Sequence, residues 1–183
     1  PRAVGQVPVF YAHKRSGGRS HWKGDYVDGS TKPLLPFGFG LSYTTFAYSD
    51  FEIESEEVTT TGSFKASISV QNTGNMPGDA VVQLYCADPV ASVTRPVKEL
   101  KGFARVHLEC GQKVRVQFEV AASQMAFVDR GMRFVVEPGE IQVMFGEHAE
   151  KIAASGTVTL TGEKQCVDES REFFSQYTVK DMG

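Results

Sequence analysis

This sequence contains closely spaced carboxylates, and a pair of carboxylates can catalyse hydrolysis. Cleavage of a glycosidic bond needs two of them, about 5–5.5 Å apart for retention of configuration or about 6.5–9.5 Å apart for inversion. The densest acidic cluster spans residues 52–57. Two of its members, Glu52 and Glu54, flank the apolar Ile53. That alternation is typical of the outward face of a strand, so we interpret the cluster as a solvated face that discourages edge pairing.

Trp22 is the only tryptophan, and it lies in a basic, glycine-rich stretch. Together with Arg19, Asp25 and Tyr26 it could contact a ligand, with the indole ring stacked on a sugar and the polar groups forming hydrogen bonds. Two structural interpretations stay open. Trp22 could anchor this segment to an adjacent domain, and Asp25 could simply form a turn.

Other catalytic or metal-binding signatures are missing from the sequence. It contains no GxSxG elbow, HExxH pair, P-loop or dinucleotide-binding GxGxxG. Its four histidines have no ligand-like spacing, and Cys86, Cys110 and Cys166 form neither a CxxC pair nor an even set. We therefore expect no metal and no cofactor. Cys86 is predicted to be a small core residue of a strand.

Length and charge limit the function further. A chain of 183 residues is too short for a barrel of eight strand–helix units, which needs roughly 250 residues. The net charge of −3 does not favour a nucleic acid partner, and no apolar run is long enough to span a membrane. Residues 1–32 contain six basic and two acidic residues, whereas the remainder is acidic. These two parts are predicted to belong to different structural units.

From Phe46 onward the apolar residues recur with a period of two. The clearest segment is residues 113–120, in which Val114, Val116, Phe118 and Val120 alternate with polar residues. About seven such segments, separated by glycine and proline turns, predict an all-β fold, an immunoglobulin or fibronectin type III-like antiparallel sandwich. One helical turn is expected near residues 121–127, with Ser123 as its cap.

The segment before the sandwich cannot fold alone. Its proline- and glycine-rich stretch, Pro36, Phe37, Gly38, Phe39 and Gly40, supplies a stiff turn, two aromatic anchors and close backbone approach. Those properties predict a linker pinned onto neighbouring domains.

Several ordered motifs resemble the C-terminal region of glycoside hydrolase family 3, the bacterial β-glucosidase and β-xylosidase group. The strongest is PLLPFGFGLSYTTF at residues 33–46, which is similar to the family's PLYPFGYGLSYTTF. Further similar segments lie at residues 4–14, 72–74, 78–85 and 92–103. Within the last of these, Leu100 and Phe103 are expected to pack inward.

The resemblance implies a division of the chain into four parts. Residues 1–32 would end an α/β sandwich domain as an extended arm, and residues 33–44 would form the interdomain linker. Residues 45–162 would be the fibronectin type III-like domain, and residues 163–183 a C-terminal tail. In the family, the aspartate nucleophile and the glutamate acid/base both precede this region, so no catalytic residue is assigned here.

The resemblance also implies the function. The parent protein would be a retaining glycosidase acting on terminal β-linked glucose or xylose, and the isolated chain is expected to be an inactive scaffold. Its partners would be the missing catalytic barrel and α/β sandwich domain, with an oligosaccharide as a further candidate. The alternative is a carbohydrate-binding or cell-surface adhesion module. Periplasmic, secreted and cytoplasmic locations all stay open.

Overall fold

The structure is a computed structural model that describes residues 1–4, 6, 9–14, 29–30, 32–169 and 171–183. Strands dominate these ranges, and one short 3-10 helix covers Ala122–Met125. The strands are β1 (Phe46–Ile53), β2 (Glu57–Thr59), β3 (Ser63–Asn72), β4 (Gly78–Ala87), β5 (Glu99–Leu108), β6 (Lys113–Ala121), β7 (Phe127–Val128), β8 (Phe134–Val136), β9 (Gly139–His148), β10 (Lys151–Thr161), β11 (Gln165–Cys166) and β12 (Gln176–Asp181).

Two sheets form a sandwich, which confirms the predicted all-β, fibronectin type III-like fold. One sheet has the strand order β1-β3-β6-β12 and the other β2-β10-β9-β4-β5, while β11-β8-β7 form a small third sheet. Neighbouring strands pair antiparallel, except for β2, which runs parallel to β10.

The core lies between the two large sheets and follows from the alternation in the sequence. Every second residue of β6 from Val114 to Val120 is buried, and so is every second residue of β5 from Gly102 to Leu108. The rings of Phe118 and Phe145, one from each sheet, meet with their centroids 5.8 Å apart. Burial also raises the pKa of the Cys86 thiol to about 12, as expected for a core cysteine.

The acidic residues near β1 are engaged structurally. The Arg115 guanidinium donates to the Glu52 carboxylate, and the Gln117 amide donates to Glu54 Oε1 at 2.5 Å. These contacts agree with the interpretation of the cluster as an outward face of an edge strand.

Two local expectations are wrong. An extra residue in β5, Lys101, shifts the register against β4, so that Leu100 and Phe103 both face the outer side of the sheet. Phe103 is consequently 56% exposed instead of packed in the core. The 3-10 helix has Ala121 at its N-cap position and no side-chain cap, so Ser123 does not cap it.

The C-terminal residues cross from the small sheet to the sandwich. The backbone N–H and hydroxyl of Ser175 both donate to the carbonyl of Lys101 in β5. A Cβ on Gly102 would lie 2.8 Å from the Phe118 ring and 3.1 Å from Ser175, so a glycine is needed at this crossing. After Ser175 the chain pairs with β6 as β12.

Asn72, at the end of β3, links the segment before β1 to the β3–β4 turn and to the end of β5. Its buried amide donates to the carbonyls of Met76 and Leu108, at 2.8 and 3.0 Å. Its Oδ1 accepts from the Thr44 hydroxyl at 2.7 Å and from the Gly74 N–H at 3.1 Å. One side chain therefore satisfies four polar groups at the end of the sandwich.

We expect Asn72→Ala to lower the free energy of unfolding by about 2–4 kcal/mol, because it leaves buried donors and acceptors without partners. Chemical denaturation would measure the loss. Thr73→Ala, at the exposed neighbouring position, is the matched control and should change the stability by no more than about 0.5 kcal/mol. Similar values for the two variants would contradict this role of Asn72.

Candidate functional site

The outer face of the five-stranded sheet carries a second buried cluster. Tyr85 and Gln83 alternate with core residues of β4, so they point away from the sandwich interior. Both are nevertheless buried, and Tyr85 is packed with Met144 and Ala149 in a cluster of its own. Something other than the second sheet must cover this face.

The cover is the linker together with part of the preceding arm. The ring of Phe37 stacks on Tyr11 with centroids 3.9 Å apart and planes 14° apart. Tyr11 in turn meets Tyr85 edge-on at 6.0 Å, and its hydroxyl oxygen accepts from the Leu100 N–H at 3.2 Å. Burial raises the pKa of the Tyr85 hydroxyl. Three aromatic rings are thus in contact in series, from Phe37 of the linker, through Tyr11 of the arm, to Tyr85 of the sheet.

Hydrogen bonds fix the linker backbone on this face. The Gln83 amide donates to the carbonyls of Gly38 and Glu147, at 3.0 and 2.7 Å, while its oxygen accepts from the Tyr85 hydroxyl. The Ala149 N–H donates to the carbonyl of Phe37 at 3.0 Å.

Glycine is required where the linker approaches Gln83. Gly38 has φ +80°, in the left-handed region that favours glycine. A Cβ at this position would lie 2.1 Å from Gln83 Oε1. The close approach therefore depends on both the backbone conformation and the missing side chain.

The arm makes further backbone contacts with the loop that precedes β5. Lys14 forms an isolated antiparallel bridge with Pro96, and the Val97 N–H donates to the carbonyl of His13 at 2.9 Å. In the same loop the Lys98 ammonium donates to the carbonyl of Ala149. The arm, the linker and this loop are thus held together on one side of the sandwich.

Arg95 stabilises the same loop. It lies beside a cavity of about 600 Å³ that is lined largely by residues 88–95. Its guanidinium donates to Glu99 and to the carbonyl of Met125, each at 3.1 Å, and lies 4.6 Å from the ring centroid of Phe127. These contacts explain why the sequence places an arginine before Pro96.

Large apolar side chains remain exposed around the linker. We call them the apolar linker surface, and its members are Leu34, Leu35, Phe37, Phe39, Leu41, Tyr43, Val81 and Phe103. Leu41 and Tyr43 are 92% and 95% exposed. A groove of about 380 Å³ runs between the linker and the outer sheet face, reaching Val81 and Phe103. Exposed apolar side chains around such a groove are typical of a surface that contacts another protein segment.

A charged group borders this surface. The Asp79 carboxylate accepts from His107 Nδ1 at 2.6 Å and from Arg105 Nε at 2.7 Å. Hydrogen bonds from His107 and then Arg105 lower the pKa of Asp79, and the Asp79 carboxylate raises the pKa of His107. The apolar linker surface therefore has a polar rim, as protein interfaces commonly do.

Of the five predicted linker residues, Pro36, Phe37, Gly38, Phe39 and Gly40, the last four line the groove on the outer sheet face, and the Phe39 ring is tilted on His148 with centroids 5.7 Å apart. Their role between domains stays a prediction. The predicted ligand-contacting residues Arg19, Trp22, Asp25 and Tyr26 lie outside the described residues. Sequence reasoning missed Tyr11, Gln83 and Tyr85. The only available signal was an aromatic residue and an amide at the outward positions of a strand, which do not reveal what covers them.

In the described part of the chain, no three His, Cys, Asp or Glu side chains are close enough to share a metal ion. No helix in the same part is both long and apolar enough to cross a bilayer.

Comparison with known proteins defines the class first. Residues 80–149 match the fibronectin type III-like domain family. The solved structure of a β-glucosidase from Listeria innocua in complex with glucose has a TM-score of 0.78 at 32% identity, covering 87% of this chain and 23% of that chain. A β-glucosidase involved in saponin metabolism from intestinal bacteria reaches 0.80 at 36% identity, over 88% of this chain and 21% of that one.

Curated relatives identify the larger family. A periplasmic β-glucosidase of Salmonella typhimurium is 38% identical over 158 residues, or 83% of this chain and 21% of the relative. A β-xylosidase of Formosa agariphila is 40% identical over 161 residues, or 88% of this chain and 22% of the relative. The chain belongs to the C-terminal, fibronectin type III-like region of glycoside hydrolase family 3 proteins. It spans about a fifth of the length of these relatives, so it is a region of a larger protein with other domains.

We expect Gly38→Ala to detach the linker, because the new Cβ conflicts with both the backbone conformation and Gln83. Amide hydrogen exchange at Ala149 should accelerate about tenfold or more, since its N–H would lose the Phe37 carbonyl. Gly40→Ala is the matched control, because nothing lies within 4 Å of a Cβ built there. Unchanged exchange in the Gly38 variant would show that the linker does not need this contact.

Proposed function

We propose that this chain is the non-catalytic scaffold of a retaining β-glycosidase that releases terminal β-linked glucose or xylose. The names of its relatives, β-glucosidases and a β-xylosidase, support that substrate class. The observation that carries the scaffold role is the apolar linker surface. It is exposed in this chain although the linker beneath it is firmly held. In the proposal, the catalytic barrel and the α/β sandwich domain of the larger protein cover it.

The domain layout proposed from the sequence fits this role. Residues 1–32 end the preceding α/β domain, and residues 33–44 connect it to the sandwich at 45–162. The tail at 163–183 follows. Because the linker is fixed on β4 and β9, a domain attached to its N-terminal side is held in a defined orientation. A scaffold of this kind positions catalytic domains without contacting the reacting atoms.

The alternative, a carbohydrate-binding module, has less support. Sugar binding by a sandwich commonly relies on exposed aromatic rings on a sheet face or a loop rim. Phe64, Phe118 and Phe145 are instead buried in the core. The exposed aromatic residues of the linker lie around an apolar groove, which suits a protein segment better than a hydroxyl-rich sugar.

Substitutions in the apolar linker surface test the scaffold role. Leu41→Ser and Phe103→Ser should each lower the stability of the whole protein by about 1–3 kcal/mol and speed its thermal inactivation, because they remove apolar area buried between domains. The same substitutions in the 183-residue chain should leave its melting temperature nearly unchanged, since both side chains are exposed there.

Val90→Ser is the control, because Val90 is 83% exposed and lies on the loop beside the Arg95 cavity. It should affect neither form. A whole protein that tolerates Leu41→Ser and Phe103→Ser as well as it tolerates Val90→Ser would refute the docking role.

The arm residues Arg19, Trp22, Asp25 and Tyr26 are proposed to contribute to a substrate subsite of the whole enzyme, beyond the cleaved bond. The support is their chemistry: an indole ring can stack on a sugar, and the neighbouring polar groups can hydrogen-bond to its hydroxyls. In the whole enzyme, Trp22→Ala should raise KM for an oligosaccharide several-fold with kcat nearly unchanged. Trp22→Phe retains a stacking ring and should have a smaller effect. An unchanged KM and acceptor preference in Trp22→Ala would remove this subsite from the proposal.

A further inference from the structure

The edges of the two large sheets differ in how well they are protected against pairing with another strand. An unprotected edge offers a row of free N–H and C=O groups, and natural sheets usually block it with bulges, charges or very short strands. The four edges are β1 and β12 in one sheet, and β2 and β5 in the other.

Three of these edges carry such protection. β1 contains a register shift between Ser49 and Glu52, with Asp50 at φ 52°. β2 is only three residues long. β5 has the register shift at Lys101, where Ser175 already occupies the carbonyl.

The remaining edge, β12, is less protected, because its charged residues, Lys180 and Asp181, lie only at its C-terminal end. Its six residues pair with β6 in an uninterrupted register and contain neither proline nor glycine. Tyr177 and Val179 are 48% and 43% exposed although they lie on the face that continues the core residues Phe118 and Val116. Within the described part of the chain, no strand pairs with the other side of β12.

Alternate residues of β12 direct their backbone N–H and C=O groups toward β6, and the residues between them direct theirs outward. The Met182 N–H donates to the carbonyl of Lys113 in β6. Because the phase repeats every two residues, Thr178 and Lys180 also direct their backbone groups toward β6. Tyr177 and Val179 direct theirs outward, where they can accept a further strand.

We infer that β12 pairs antiparallel with β12 of a second copy of this chain, giving a two-fold symmetric dimer with one sheet continued across it. Thr178 lies opposite Thr178 of the second copy. This register sets the outward-directed backbone groups of Tyr177 against those of Val179, so both residues exchange hydrogen bonds. It also packs the half-exposed Tyr177 side chain of each copy against Val179 of the other, which forms an aromatic and β-branched cross-strand pair.

Charge and exposure fit the same register. On the opposite face, Gln176 lies across from Lys180 of the second copy, so no like charges meet. The register further brings Phe174, which is 76% exposed, toward Met182, which is 44% exposed. Shifting the pairing by two residues in one direction would instead place Tyr177 opposite Asp181, whose carboxylate already accepts from Gln112. Shifting it in the other direction would place Val179 opposite Ser175 and remove its apolar partner. The interface is small, so the dimer is weak and depends on concentration.

Sedimentation equilibrium of the 183-residue chain, from about 10 µM to about 1 mM, tests the pairing. We expect a monomer–dimer equilibrium that Gln176→Lys weakens about five- to tenfold, because the dimer then contains two lysine pairs across the strands. Gln176→Lys/Lys180→Glu should restore the dimer, since each lysine then faces a glutamate.

These variants separate loss of the dimer from loss of β12. Within one chain Gln176 lies beside Glu119 and Lys180 beside Arg115, so each substitution gains an opposite charge on β6. Leu41→Ser, on the apolar linker surface, is the control for association through that other area and should leave the dimer unchanged. A monomer at every concentration would overturn the inference. A dimer insensitive to Gln176→Lys, or one not restored by Lys180→Glu, would overturn it as well.

Discussion

The attachment of the linker depends on the amide of Gln83, which lies on the outer face of a strand whose inner face belongs to the core. A buried amide must have its hydrogen bonds satisfied, and here the linker backbone, the Glu147 carbonyl and the Tyr85 hydroxyl satisfy them. If the linker were removed, this amide and the neighbouring tyrosine would face solvent with an apolar cluster around them. The linker is therefore packed as part of the folded sandwich, while Leu41 and Tyr43 after it stay almost fully exposed.

In the proposed scaffold role, this arrangement lets a domain without an assigned catalytic residue orient its neighbours. Strand β4 is covered on both faces, by the second sheet on one side and by Tyr11 and Phe37 on the other. Tyr11, the linker and the sheet are consequently packed as one unit. In that proposal, a domain attached to the linker takes a fixed orientation and packs against the apolar linker surface.

The sequence predicted those parts of the structure that follow from local patterns. Alternation along β6 indicated its buried face. The role of the proline- and glycine-rich stretch as a linker between domains stays a prediction. The partner of that linker could not be predicted, because outward positions such as Tyr85 look solvent-facing until a distant segment covers them. The predicted burial of Phe103 was wrong for a different reason. One extra residue at Lys101 reverses the phase of a strand, and such a shift leaves no periodic signal in so short a segment.

The position of the linker in the chain also restricts the order in which the protein can assemble during synthesis. Phe37 and Gly38 emerge from the ribosome long before their partners, Gln83 and Ala149. Until residue 149 has been made, the linker has no complete surface on which to dock. The phenylalanine and leucine side chains of the linker therefore cannot be covered in this way until most of this region has been synthesised.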